Sequence, residues 1–292
     1  MTITLALMRR NLQVFFRDKL NVFFSLLGAI VLFLLYALFL GNSQVNSISD
    51  SLPGVPRSDV AHFMNAWMFS GIVLITTVTT GLAALSALVE DSQTGRFKDF
   101  LVSPIKKAPL VAGYVLSAAV VAIIMSTFTL VFSVVYLWAI DGHLMGTGPI
   151  LRSFGYVILC ALAFTALSAF LVSFMTTVAS QAALNTIVGT LTGFIAAAYI
   201  PIVAFPQTVA NVVSALPWAQ GGMLLRREFA SEALASITAS DSGAEESLRS
   251  GFGLDLSVGS WEVPALFTIF FLVAITLLFT GIGAARIRSR IS

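Results

Sequence analysis

The sequence predicts an all-α, polytopic membrane protein with six transmembrane helices, an N-terminal interfacial amphipathic helix and a re-entrant outer helical segment before the last span. Three observations carry this. Of 292 residues, 58% are hydrophobic and only 10% charged, whereas soluble domains carry about a quarter charged residues. A bilayer core of ~30 Å asks for roughly 20 apolar residues per helix, and runs of that length recur along the chain. Lysine and arginine fall unevenly on alternate connections, as a fixed orientation in a membrane requires.

Residues 1–21 come first. On a helical wheel Leu5, Met8, Leu12, Phe15 and Phe16 share one side, with Arg9, Arg10, Gln13 and Arg17 beside them. Such a segment is either a cytoplasmic amphipathic helix lying in the interface or a basic topogenic flank. The six-span domain, 22–292, follows with apolar runs at Val22–Leu40, Ala66–Val89, Leu110–Ile140, Ser153–Met175, Leu184–Phe205 and Val263–Ala285. From Ile150 to Phe205 the chain is almost continuously apolar, broken only at Thr176–Ala183. As one helix it would measure about 84 Å, so two crossings are expected.

The outer segment and loop, 206–262, is the longest connection. Its first part is apolar but punctuated by Pro206 and Pro217, just after Pro201. Broken helices at membrane depth survive only where protein or an aqueous cavity satisfies their backbone, which fits a re-entrant helix pair; an ordinary surface loop is the alternative. Ser231 to Ser260 is rich in Ser, Gly and acids and too short for a core of its own.

With the N-terminus inside, eleven of the sixteen Lys and Arg residues fall on inner segments and five, Arg57, Arg152, Arg226, Arg227 and Arg249, on outer ones. Both termini are therefore expected in the cytoplasm, in a multi-pass protein of the plasma membrane. Trp67, Trp138, Trp218 and Trp261 then fall near the outer boundary, where amphipathic rings favour the headgroup zone. The first apolar run is too long for a secretory leader and lacks a cleavage site, so a retained start is expected. The single Cys160 offers neither a disulfide nor a cysteine metal site and reads as a small packing residue.

Several chemistries are excluded. No Asp, Glu, Lys, Arg or His lies inside the six runs, although ion-coupled transporters usually need an intramembrane ionisable group. Neither a nucleophile elbow nor an H-E-x-x-H pair occurs, and His62 and His143 sit in outer loops, so no catalytic or metal site is expected. A Walker A loop is absent, the dipeptide Gly-Lys never occurring, so no cofactor is expected on this chain. The inner flanks account for the cationic excess without nucleic acid as a partner.

The loop 90–109 carries the most specific signal. Glu90 and Asp91 open it, Gly95 and Arg96 follow, and a short amphipathic stretch places Phe97, Phe100 and Leu101 on one side before Ser103 and Pro104 end it ahead of Lys106 and Lys107. Apolar knobs on such a helix suit a groove on a cytoplasmic partner; the alternative is a solvated juxtamembrane loop. This pattern resembles the cytoplasmic loop of the type-2 ABC-exporter permeases, in which an acidic residue, a Gly, a Leu-x-x-Ser/Thr-Pro element and a basic flank follow the second span. The resemblance extends over essentially the whole chain, and LPWAQGGMLLRREF (216–229) is similar to the stretch after the family's re-entrant pair. It departs at Phe97-Lys98-Asp99, where many relatives carry an acid shortly after the Gly.

The resemblance implies a permease subunit of an ATP-driven exporter in which loop 90–109 docks on a separate cytoplasmic ABC ATPase. ATP and Mg would be bound by that partner, and a second permease chain, identical or not, would complete the exporter. Thr76, Thr77 and Thr80 in the second run and Asn185, Thr186 and Thr190 in the fifth are either packing residues or a path lining. Uncharged hydroxyls suit an amphipathic cargo: a drug, an antimicrobial peptide, a lipid or a glycan precursor. The rival reading is a non-transport membrane scaffold or lipid-binding subunit.

Overall fold

The computed structural model describes residues 3–96, 107–142, 144–239 and 241–290. Six helical stretches are long and apolar enough to cross a bilayer: Leu27–Ser51, Arg57–Gln93, Ala108–Ile140, Thr147–Val172, Val178–Ile195 and Ala265–Ile287. The all-α polytopic class follows from these, with a two-residue hairpin as the only sheet among the described residues.

In chain order the helices are α1 (Ile3–Arg17), α2 (Lys19–Ser25), α3 (Leu27–Leu35), a π-helical turn (Tyr36–Leu40), α4 (Gly41–Ser51), α5 (Arg57–Ala84) and α6 (Ser86–Gln93). Then come α7 (Lys107–Asp141), α8 (Thr147–Val172), α9 (Val178–Ile195), α10 (Gln207–Ala215), α11 (Pro217–Ile237), α12 (Ser242–Gly251), the hairpin β1 (Ser257–Val258) and β2 (Trp261–Glu262), and α13 (Ala265–Arg290). Six crossings bring α1, the end of α6, the starts of α7 and α9 and the end of α13 to one end of the bundle. Residues 198–264 form a crown at the other.

The axis is α5, buried on nearly every side from Val60 to Ala83. A helix apolar all round needs neighbours all round; here α3, α7, α8, α9 and α11 surround it. Close approach is needed at Gly71, where a Cβ would stand 2.9 Å from the Ala198 methyl. The proline-broken pair is present as α10 and α11, with Pro217 in the first turn of α11. Rather than covering the surface, α11 packs on α5, α8 and α13, and Arg226, counted above among the cations of the outer segments, is completely buried on it.

Most span boundaries differ from the hydropathy runs: the first stretch runs on to Ser51 rather than Leu40, and the second begins at Arg57 rather than Ala66, which places His62 on α5 and not in an outer loop. The first span begins at Leu27, not Val22, because α2 is a separate helix: the Asp18 carboxylate accepts from the Asn21 N–H at 3.0 Å to start it. The fifth stops at Ile195, not Phe205. Ala197 adopts φ +49°, and the N–H groups of Ala198 and Tyr199 both donate to Gly193 O, at 2.8 and 3.0 Å. That reversal lays the Tyr199 ring on Gly193, where no Cβ fits. The tryptophans also divide. Trp138 and Trp261 are exposed, but Trp67 is buried and donates its indole N–H to Phe252 O at 2.6 Å, and Trp218 stacks on Phe164.

Candidate functional site

At the α1 end, the second span breaks at Leu85 and resumes as α6, whose buried side carries Leu88, Val89 and Asp91. Apolar neighbours on both sides draw α6 inward, and Asp91 goes with it to 1% exposure. A buried carboxylate must be paired and hydrogen-bonded. Arg10 of α1 donates to both Asp91 oxygens, at 2.5 and 3.0 Å. Tyr114 of α7 donates its hydroxyl at 2.6 Å, and Arg96 adds a bond at 3.0 Å. The two-pronged Arg10 contact fixes orientation as well as charge. Its bond to Asp91 holds the Arg10 guanidinium above its ordinary pKa, against the opposing effect of burial.

Neighbouring contacts extend this junction. Asn11 donates to the Ser117 hydroxyl at 3.2 Å, and the Thr4 hydroxyl to Pro109 O at 3.2 Å, fastening α1 along the start of α7. Residues Leu7, Asn11 and Phe15 are the buried side of α1, while Leu5, Val14 and Phe16 stay exposed. The apolar arc of α1 is thus shared between protein and its surroundings. On the other side, the Gln93 side-chain carbonyl accepts from the Val178 N–H at 2.8 Å, at the first turn of α9. There Thr177 and Ser180 form a reciprocal capping box. The root of loop 90–109 is therefore bonded to α1, to the third span and to the fifth.

Of the predicted loop residues, Glu90, Asp91, Gly95 and Arg96 belong to this junction. Exposed Glu90 and Arg96 pair at 3.5 Å, and Gly95 takes φ +75°, a left-handed turn suited to glycine that ends the helix. Phe97, Phe100, Leu101, Ser103 and Pro104, together with Lys106, lie outside the described residues, as does His143. The hydroxyls of Thr76, Thr77 and Thr80 are buried and donate to carbonyls of their own helix, those of Ile72, Leu74 and Thr76. On α9, Asn185 is half-buried and Thr186 and Thr190 are exposed. Among the described residues no hydrogen bond joins these two sets within one chain. Arg10, Gln93 and Tyr114 went unrecognised in the sequence. Tyr114 is the one aromatic residue between Leu110 and Met125, which was the available signal; Arg10 had none beyond its charge.

Six apolar helical stretches joined at one end by a connection rooted in charge define a multi-pass membrane protein. The ABC-2 type transporter family model matches residues 2–224, and the chain belongs to that family, as a membrane-spanning permease component of an ABC transporter. The match covers the first five spans and ends within α11. Comparison with curated proteins gives no match.

Proposed function

We propose that this chain is the permease half of an ATP-driven exporter, in which a separate cytoplasmic ABC ATPase grips loop 90–109 and drives outward movement of an amphipathic cargo. The loop end then faces the cytoplasm with both termini, the crown faces the outside of the plasma membrane, and ATP and Mg reside on the ATPase. A second permease chain completes the route. On the exposed side of α9, Thr186 and Thr190 flank Gly189, small and hydroxyl residues of the kind that let a second helix approach closely.

The observation that carries this reading is the buried Asp91 junction. A loop serving only as a connection has no need of a carboxylate held by two arginines and a tyrosine. A loop that transmits force needs a rigid root, and this one is bonded to α1, α7 and α9, so displacement of the loop is passed to the third and fifth spans together.

The test is co-purification of the tagged chain from its native membranes. An ABC ATPase is expected with the wild-type chain. Leu101→Asp or Phe100→Asp, each placing a charge on the apolar side of the loop, is expected to abolish that association at least tenfold while membrane insertion stays normal. Retention of the ATPase by both variants sinks the docking assignment.

A further inference from the structure

Several irregular features of the chain converge on one point in the crown. Arg226 of α11 is completely buried, yet no carboxylate among the described residues pairs with it. Its Nη2 donates to Ala196 O and, at 2.8 Å, to Ala197 O, and its Nη1 to Gly253 O at 3.5 Å. The guanidinium carbon lies 5.6 Å from the centre of the Trp67 ring, within range of a cation–π attraction.

Each partner is itself irregular. Ala196 and Ala197 form the reversal at the end of α9, with the positive φ of Ala197. The carbonyls ending a helix carry the negative end of its dipole, so Arg226 supplies there the positive group that the helix terminus lacks. Gly253 also has a positive φ, +70°, and directly follows Phe252, whose carbonyl takes the Trp67 N–H. Tyr36 packs on the same indole at 5.6 Å from the π-helical turn of the first span, a distortion frequent at functional sites. The Tyr36 hydroxyl and Arg226 Nε are both buried without a hydrogen-bond partner among the described residues.

Stability alone does not account for this arrangement, because an apolar residue of similar volume is often as good as, or better than, a buried charge. What the guanidinium does, and an apolar residue cannot, is bond the end of the fifth span and Gly253 at once. We propose that Arg226 is a positioning residue that fastens the crown to the end of the fifth span, so that the two move as one body during transport. This rests on the permease reading for its functional half: motion entering α9 through the Gln93 contact reaches Ala196 and Ala197, and Arg226 hands it on to the crown that closes the outer end.

The full-length chain in lipid nanodiscs decides the matter by hydrogen exchange. Arg226→Met keeps the volume and removes the donors. Exchange at amides 196–199 and 254–255 is expected to rise tenfold or more in both segments together, with the remaining spans unchanged. Arg226→Lys, which keeps the charge and can still donate, is expected to restore part of the protection. With the co-purified ATPase in proteoliposomes, Arg226→Met is expected to lower cargo moved per ATP severalfold while hydrolysis continues. Unchanged exchange, loosening of one segment without the other, or a uniform rise across all spans overturns the proposal; so does undiminished export per ATP. Absence of ATP-driven export by the wild-type chain instead overturns the permease reading, and the exchange result still decides the fastening.

Discussion

The two ends of this molecule solve the same problem with opposite chemistry. At the α1 end a buried anion, Asp91, is matched by two arginines whose own side chains remain 37% and 52% exposed. In the crown a buried cation, Arg226, is held by backbone carbonyls and an aromatic face. The first arrangement has water within reach of its cations, so it tolerates rearrangement and is screened by salt. The second is sealed and insensitive to salt, and its strength depends on geometry, because partial charges on carbonyls fall off steeply with distance and angle. Under the proposed function, the α1 end engages and releases the ATPase, which the first kind of contact serves. An outer end that moves with the fifth span, as proposed for Arg226, is served by the second.

The sharpest attack on that contrast is at Asp91. Asp91→Ala removes the acceptor for the buried Tyr114 hydroxyl and frees Arg10 and Arg96 to turn toward water, so the expected cost is about 2–3 kcal/mol, below the value for a sealed pair. Thermal unfolding in detergent measures it. The loss is expected to shrink in high salt, because the wild-type contacts weaken there. A salt-independent loss breaks the comparison. Asp91→Asn keeps the shape and two acceptor sites at most, and is expected to fall between wild type and alanine.

Where the fifth span meets the crown, packing sets a second limit beside the Arg226 contacts. Gly193→Ala forces the new methyl against the Tyr199 ring, and the reversal at Ala197 leaves that ring little room to retreat. About 1–2 kcal/mol of destabilisation is expected, in the range for overpacking, and independent of salt. Pairing it with Tyr199→Ala in a double-mutant cycle isolates the clash: the cycle is expected to show that Gly193→Ala costs little once the ring is gone. Additive losses place the effect elsewhere and weaken the view of the crown as a packed body.

Hydropathy and charge were enough for the number of spans, the even count that puts both termini at one end, and the proline-broken pair before the last span, because these follow from length and composition. Span boundaries were less legible: the fifth span ends where a Gly193 contact with a later ring permits a reversal, and apolar composition runs straight through that point. The junction was half legible. Glu90, Asp91, Gly95 and Arg96 stood out as a motif, but nothing in the spacing ties Asp91 to Arg10, 81 positions earlier, or to Tyr114, 23 positions later. The sequence placed Arg226 and Arg227 together on an outer segment and did not distinguish them. Adjacent helical residues point about 100° apart, and the fold sends one into the bundle and the other to Asp255, a division that needs the tertiary neighbours to be known.

The smallest effect tests whether the crown's surface behaves like the α1 end once water is available. Asp255 accepts from Arg227 and Arg249, both at 2.5 Å, and Arg227 also donates to Leu254 O at 2.7 Å, which pins the chain just after α12. Burial alone would raise the Asp255 carboxyl, but the hydrogen bond from Arg249 and the charge of Arg227 outweigh it and hold the pKa below the ordinary carboxylate value. A depressed folded-state pKa means that the contribution is fully present above the unfolded value, near 4, and is lost as pH falls through the lower folded value. Asp255 and Arg227 are partly exposed, so the contribution is modest. Exchange protection of Leu254 and Asp255 is expected to be flat from pH 7 to about pH 5, after correction for intrinsic rates, and to fall below about pH 4. Asp255→Asn is expected to remove the acid-induced step. A step that persists in Asp255→Asn assigns the titration to other carboxylates and separates the crown's surface from the behaviour of the Asp91 junction.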